Sequence, residues 1–269
     1  MIMSSGLKCR KGRINNTRIV RGVFIKTAVR VEHSKRLRLK REQWSLSIAK
    51  ERGVSVPKVI DYYLDRKGRE VLKLEVIRAR TLTAFPIESQ IEIMRKVGSE
   101  MLKLRSVSKK FGWPDLSTLE GEFDEWRLFL YKFTERYSGR LVRRHILQKD
   151  FVTYLLKRIS SFDFGINESD LIHRDIKLGN ILCTEGLTGY WIVDWENSLL
   201  GDQLFDLAVY SANYGQDRLW EGLVEGFGSP ALESDKYKLY EKIALIGTID
   251  FYRKRGLDYS QKAKKLLRI

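Results

Sequence analysis

Between Leu171 and Glu196 the chain reads LIHRDIKLGNILCTEGLTGYWIVDWE, and no other stretch restricts the fold as tightly. An apolar pair runs into His173-Arg174-Asp175, Asn180 follows five positions after that aspartate, and an apolar strand from Tyr190 to Val193 ends on Asp194. Two carboxylates and an amide held on a tight loop and a strand end are hard oxygen ligands, suited to magnesium beside phosphate oxygens, with one carboxylate left to orient a hydroxyl. Aspartate is common in turns, so Asp175 alone would read as loop filling. The joint pattern of spacing, apolar flanks and a second aspartate does not.

The stretch resembles the aminoglycoside phosphotransferase and choline kinase group, the small-molecule branch of the protein-kinase-like fold. Members carry an H-x-D-x-x-x-x-N loop, then Asp-Trp-Glu or Asp-Phe-Glu, then Gly-Asp and Asp-Leu-Ala. Here these read HRDIKLGN, DWE, Gly201-Asp202 and Asp206-Leu207-Ala208. The resemblance implies an α+β, bilobed fold. A small antiparallel β-sheet N-lobe, residues 1–77, covers the nucleotide, and a mainly helical C-lobe, residues 78–269, carries the catalytic loop and the acceptor-binding helices. It implies ATP and Mg2+ as cofactors and transfer of the γ-phosphoryl group to a hydroxyl. Asp175 is then the base or hydroxyl orienter, and Asn180 and Asp194 are the magnesium ligands. Lys177 steadies the transferring group as in the protein-kinase version of the loop, while Leu178-Gly179 looks like the small-molecule branch. His173 reads as a structural hydrogen-bonding residue, and Asp206 as a carboxylate that fixes the loop from the following helix.

The same resemblance separates acceptor classes. Protein kinases insert a long activation segment ending in Ala-Pro-Glu after the second aspartate. Here only Trp195 and ENSLLGDQLF precede Asp206, so a small-molecule acceptor is preferred to a peptide. Charge narrows the choice further. Fifty Lys and Arg against 34 Asp and Glu give a formal charge of +16, a field that attracts nucleotides, nucleic acid, anionic lipid head groups or a negatively charged substrate. It argues against a polycationic acceptor and hence against an antibiotic; a basic solvated surface is the plainer account. The alternatives kept are a kinase of lipopolysaccharide or another envelope sugar, acting on an anionic acceptor at a membrane surface, then an atypical protein kinase, then a catalytically dead nucleotide-binding module. No aromatic-interleaved nucleic-acid motif is visible. Two cysteines, Cys9 and Cys183, without metal-ligand spacing fit a reducing cytoplasm. No run approaches the roughly 20 apolar residues of a membrane span, so the expected location is cytoplasmic, with a peripheral place at the inner face of the membrane as the alternative.

Read in order, the chain begins with strand candidates at Leu7 to Arg10, Thr17 to Arg21 and Val23 to Val29, the last two linked tightly through Arg21-Gly22. Between the first two lies KGRINN, where Gly12, Asn15 and Asn16 can turn backbone amides toward phosphate; a nucleotide-covering loop and a plain hairpin turn both fit. Lys26 in the apolar strand VFIKTA is placed to approach the nucleotide phosphates, and Glu42 on a helix from Lys35 to Arg52 is its natural partner. Two more strands, Lys58 to Leu64 and Glu70 to Ile77, lead to a hinge at Glu75, Val76 and Ile77, where backbone groups would meet adenine. A core-facing helix spans Glu88 to Ser108. FGWPDLSTLEG reads as a loop, Phe123 to Tyr137 as a helix, and Leu141 to Ser160 as another. Arg140, Arg143, Arg144 and His145 open that last helix, where positive charge opposes the macrodipole. An anion or membrane contact, joined by Lys35 to Arg41 as a basic rim, competes there with a solvated face. From Leu207 onward the pattern is helical, and Tyr210, Tyr214 and Trp220 read as pocket lining or as packing.

Overall fold

The computed structural model describes residues 10–11, 15–30, 37–118 and 120–268. Gly12, Cys9 and Lys35 lie outside them. A five-stranded antiparallel sheet forms first, from β1 (Arg10–Lys11), β2 (Asn15–Val20), β3 (Val23–Ala28), β4 (Val59–Leu64) and β5 (Glu70–Glu75), in the order β1-β2-β3-β5-β4. β2 and β3 are joined by Arg21 and Gly22, both at positive φ (49° and 76°), a turn whose twist matches the paired strands. In this register Lys26 sits between Thr17 and Leu72 at the centre of the sheet.

Helix α1 (Arg38–Glu51) packs on the sheet through Leu39, Leu46 and Ala49, and the same buried stripe carries Glu42 and Ser45. Spacings of three and four place all five on one face. The helix ends on Gly53 at φ 72°, with Pro57 four residues beyond.

The remainder is mainly helical: α2 (Ile87–Met101), α3 (Trp126–Val142), α4 (Lys149–Ser161), α5 (Leu204–Tyr214), α6 (Arg218–Gly226), α7 (Asp235–Lys254) and α8 (Ser260–Arg268). Two small sheets thread it. β6 (Arg80–Thr81) pairs with β10 (Ile181–Cys183), which pairs with β11 (Tyr190–Ile192). β7 (Phe111–Asp115), β8 (Glu120–Phe123), β9 (Asp170–Ile172) and β12 (Leu199–Gly201) form the other, in the order β8-β7-β12-β9. α2 and α6 approach until their backbones touch: a Cβ on Gly226 would collide with the Arg95 carbonyl oxygen, and one on Gly98 with that of Leu223. Around Trp126, stacked on Phe129 at 5.1 Å, a chain of donors runs Trp126 Nε1 to Tyr240 OH (2.7 Å) to Asp202 Oδ2 (2.9 Å). These bonds satisfy the polar edges that burial of such rings would otherwise strand.

Two expectations need correction. FGWPDLSTLEG is a hairpin, β7 with β8, rather than a loop; its register shifts between Phe111 and Pro114, which breaks the alternation that marks a strand. The helix expected from Leu141 is two helices, α3 ending at Val142 and α4 beginning at Lys149. Arg140 and Arg143 therefore lie at the C-terminal end of α3, where positive charge suits the macrodipole. Arg140 is bound to the fully buried Asp250 at 3.0 Å. Among the described residues no helix is long and apolar enough to cross a membrane.

Candidate active site

A cleft of about 660 Å³ opens between the five-stranded sheet and the helical part. Its apolar walls are Phe24, Leu74, Ile77, Leu182 and Val193, and its charged end is Lys26, Glu42, Asn180, Asp194 and Glu196. The division follows from pleating: β3 and β5 turn alternate side chains to one face, so Phe24 and Lys26 both point into the cleft.

Lys26 is the centre of the charged end. Its Nζ donates to Glu42 Oε2 at 2.7 Å and Oε1 at 3.0 Å, and to Asp194 Oδ1 at 2.8 Å, linking residues 168 positions apart. Burial disfavours the ammonium, but the carboxylates of Asp194, Glu42 and Glu196 outweigh it and hold its pKa above the ordinary lysine value. Burial pushes Glu42 up to about 7 against the pull of Lys26, with Asp194 and Glu196 adding to the rise. Burial also works to raise Asp194, but Lys26, Lys177 and His173 bring it below the usual carboxylate range. Lys26, with Arg38 on Glu196, faces three carboxylates, which leaves one negative charge over when all three are ionised.

The loop after β9 is fixed from several sides. Asp206, in the first turn of α5, accepts the backbone N–H of His173 at 2.8 Å and of Arg174 at 2.6 Å. Burial drives the Asp206 carboxyl up to about 6 against those two donors. Val193's carbonyl can only accept and Asp175's N–H can only donate. His173, in contact with both at 3.1 and 3.2 Å, therefore carries its proton on Nε2. The ring lies 4.5 Å from that of Trp195, and burial lowers its pKa, so it stays neutral. Asn180 donates from Nδ2 to Asp175 O (2.9 Å) and Oδ2 (3.0 Å), and Lys177 Nζ meets Asp175 Oδ2 at 2.6 Å. Asp194 sits at φ 70°, left-handed backbone that turns its side chain off the strand end and back into the cleft.

The expected residues separate accordingly. Lys26, Glu42, Asn180 and Asp194 line one cleft, with Asp175 and Lys177 hydrogen-bonded at its edge. Glu75 and Ile77 line the apolar end, whereas Val76 does not face it. Asn15 and Asn16 are not in a loop: both belong to β2, paired with Ala28 and Thr27, because β3 runs far enough to hold them extended. Their amides therefore go to the strand ladder. Asn15 still reaches the cleft through its side chain, which donates to Glu196 Oε2 at 2.6 Å; Asn16 does not line it. Glu196 is the residue sequence reasoning undervalued. It lines the cleft, pairs with Arg38 at 3.2 Å and lies with Glu42 and Asp194 in a group whose oxygens fall within 4.8 Å of one another. Its signal was the third letter of Asp-Trp-Glu. Cys183 is buried, and burial raises its thiol to about 11, so it is inert.

The model of the phosphotransferase enzyme family matches residues 8–241. This chain belongs to that family. Solved structures share the fold of this phosphotransferase over nearly its whole length. A thermostable mutant of aminoglycoside phosphotransferase APH(4)-Ia, in ternary complex with AMP-PNP and hygromycin B, superposes with TM-score 0.72 at 14% identity, covering 97% of this chain and 90% of that one. The GDP and kanamycin complex of APH(2")-IIia gives 0.67 at 14%, covering 99% and 93%. A choline/ethanolamine kinase family protein from Mesorhizobium loti gives 0.64 at 16%, covering 98% and 87%. The architecture is thus protein-kinase-like, as the resemblance implied. No curated protein matches the phosphotransferase in sequence.

Proposed function

We propose that this phosphotransferase moves the γ-phosphoryl group of ATP to a hydroxyl of a small molecule. The observation that carries the reading is the convergence of Lys26, Glu42, Asn180 and Asp194 on one cleft with an apolar slot at its other end. The slot, lined by Phe24, Leu74, Ile77, Leu182 and Val193, has the apolar character a purine's faces need, and Lys26, braced by Glu42, stands where phosphates would follow. Asp175, at the cleft edge, orients the acceptor hydroxyl and takes its proton, and Lys177 offsets charge developing on the transferring group. Neighbours of this fold bind AMP-PNP and GDP, which supports a nucleotide in the cleft.

The donor set fits magnesium. Asp194 and Asn180 would hold it: Asn180 commits its amide hydrogens to Asp175, which leaves its carbonyl oxygen as the ligand atom, and the surplus negative charge about Lys26 favours a cation. Held there, the ion would supply positive charge that offsets the charge of the phosphates. The short course from Asp194 to Asp206, a single turn and the three-residue strand β12 before α5, leaves no platform for a peptide. A second reading, an anionic acceptor such as lipopolysaccharide or another envelope sugar at a membrane surface, is favoured by the +16 charge.

The test is an ATP-consumption screen over amino alcohols, nucleosides, aminoglycosides, neutral sugars and anionic sugars, with nucleotide binding measured in parallel. Asp175→Ala is expected to abolish acceptor-dependent turnover while ATP still binds. Preserved turnover in that variant removes Asp175 from its role, and absence of ATP binding by the unaltered protein removes the kinase reading.

A further inference from the structure

Arg174 occupies a backbone position that disfavours any side chain. Its φ is 61°, in the left-handed region that L-residues disfavour. The guanidinium lies over two rings, 4.8 Å from the centroid of Trp113 and 5.3 Å from that of Phe133. Among the described residues it has no carboxylate partner in an ion pair, and its buried Nε has no hydrogen-bond partner. Arg41 covers the same Trp113 ring at 4.5 Å and donates to the Glu196 backbone oxygen, while Arg38 pairs with the Glu196 carboxylate. Burial, together with Arg38 and Arg174, pushes Arg41 down to about 10, and Glu122 only partly offsets this. Arg41 and Arg174 thus meet on one tryptophan, with Arg38 close enough for its charge to act on both, each partly exposed, immediately beside the candidate active site.

We propose that Arg174, with Arg41 on the same Trp113 ring and the neighbouring Arg38, binds an acidic group, phosphate or carboxylate, on the same small molecule that presents the reactive hydroxyl. The inference rests on the kinase reading above and names its acceptor class. Arg174 directly precedes Asp175, and the carboxylates of Asp206 and Asp175 lie close enough for their charge to act on its guanidinium, so an acceptor gripped by Arg174 is held near Asp175. A planar guanidinium lying over aromatic rings keeps its fork pre-organised for a bidentate oxyanion. The net charge of the chain then draws such an acceptor toward the cleft.

Two measurements on the full chain decide this. With the nucleotide cleft saturated by AMP-PNP and Mg2+, inorganic phosphate and acetate are titrated as probes. Millimolar binding of one of them is expected, weakened at least tenfold in Arg174→Gly, a replacement the backbone conformation favours, and weakened less in Arg174→Lys. Turnover is then compared across matched compounds: glycerol, glycerol 3-phosphate and glycerate; glucose, glucose 6-phosphate and gluconate. An acidic member of a pair should exceed its neutral partner at least tenfold in kcat/KM, through KM, and Arg174→Gly should erase that preference. Whether phosphate or carboxylate members lead identifies the group. Binding of neither anion by the AMP-PNP-loaded protein overturns the proposal. Equal use of neutral and acidic members also overturns it, as does activation of neutral-acceptor turnover by free phosphate, which would make the cluster a regulatory site. Failure of AMP-PNP itself to bind marks the loss of the kinase reading rather than of this subsite alone.

Discussion

Replacing Lys26 with alanine isolates the electrostatic balance of the cleft. The change removes the cation that meets Glu42 at 2.7 Å and Asp194 at 2.8 Å, and leaves three carboxylates whose facing oxygens lie within 4.8 Å of one another. At an effective dielectric of about 20, each such pair repels by roughly 3.5 kcal/mol. The fold escapes part of that by protonating Glu42, the most buried of the three. Because burial already holds Glu42 at about 7 with Lys26 in place, that protonation adds little at neutral pH, and the loss comes from the uncompensated charges left on Asp194 and Glu196. Lys26→Ala should therefore cost about 3–5 kcal/mol, in line with breaking other buried pairs. Glu42→Ala leaves Lys26 its bond to Asp194 and relieves two repulsions, so it should cost only about 1–2 kcal/mol. The double variant should be more stable than Lys26→Ala alone. Urea unfolding reads the differences as shifts in midpoint at constant slope, and millimolar Mg2+ should recover part of the Lys26→Ala loss. A Glu42→Ala cost equal to or above that of Lys26→Ala, or a double variant whose loss is the sum of the singles, would refute the reasoning.

Two further outcomes follow from burial and packing. Burial depresses His173 below its ordinary 6.5, so between the two values the unfolded chain binds the proton that the folded chain refuses. The stability it contributes is present above about pH 6.5 and is lost as pH falls toward its folded value; Glu42 and Asp206, both raised, act in the opposite sense, so the stability of the unaltered protein relative to His173→Gln, read from unfolding midpoints, should decline from pH 7.5 to 5. Gly226→Ala sets a methyl group against the Arg95 carbonyl oxygen and the Gly98 backbone, and since neither helix axis can yield cheaply it should cost about 1–3 kcal/mol. A thermal shift near zero would show that α2 and α6 are not in contact in solution.

The parts legible in the sequence are those whose signal is local. Asp175 and Asn180 lie within one loop, Asp194 closes a short apolar strand, and α1 ends on Gly53, so spacing alone locates them. Lys26 and Glu42 needed the strand-then-helix order as well. The hairpin β7–β8 was missed because Gly112 and Pro114 interrupt its alternation. The break between α3 and α4 was missed because the chain turns through His145 at φ 55°, with no glycine or proline to announce it. The arginine cluster could be read only in part: Arg38 and Arg41 fall in the basic stretch Lys35 to Arg41, but Arg41, Trp113 and Arg174 lie on a helix, a hairpin and a loop, and only tertiary packing stacks them.

Asp206 decides which half of the molecule sets the aim of the reaction. By taking two successive amides of the loop onto α5, it references Asp175 to the helical body, whereas Lys26 rides on the sheet. Any tilt of the sheet over that body would swing the phosphate grip past a stationary hydroxyl partner, with the Lys26–Asp194 ion pair as a tether across the joint. Alignment of donor and acceptor in the proposed transfer is therefore a matter of one rigid-body angle rather than of many independent side chains.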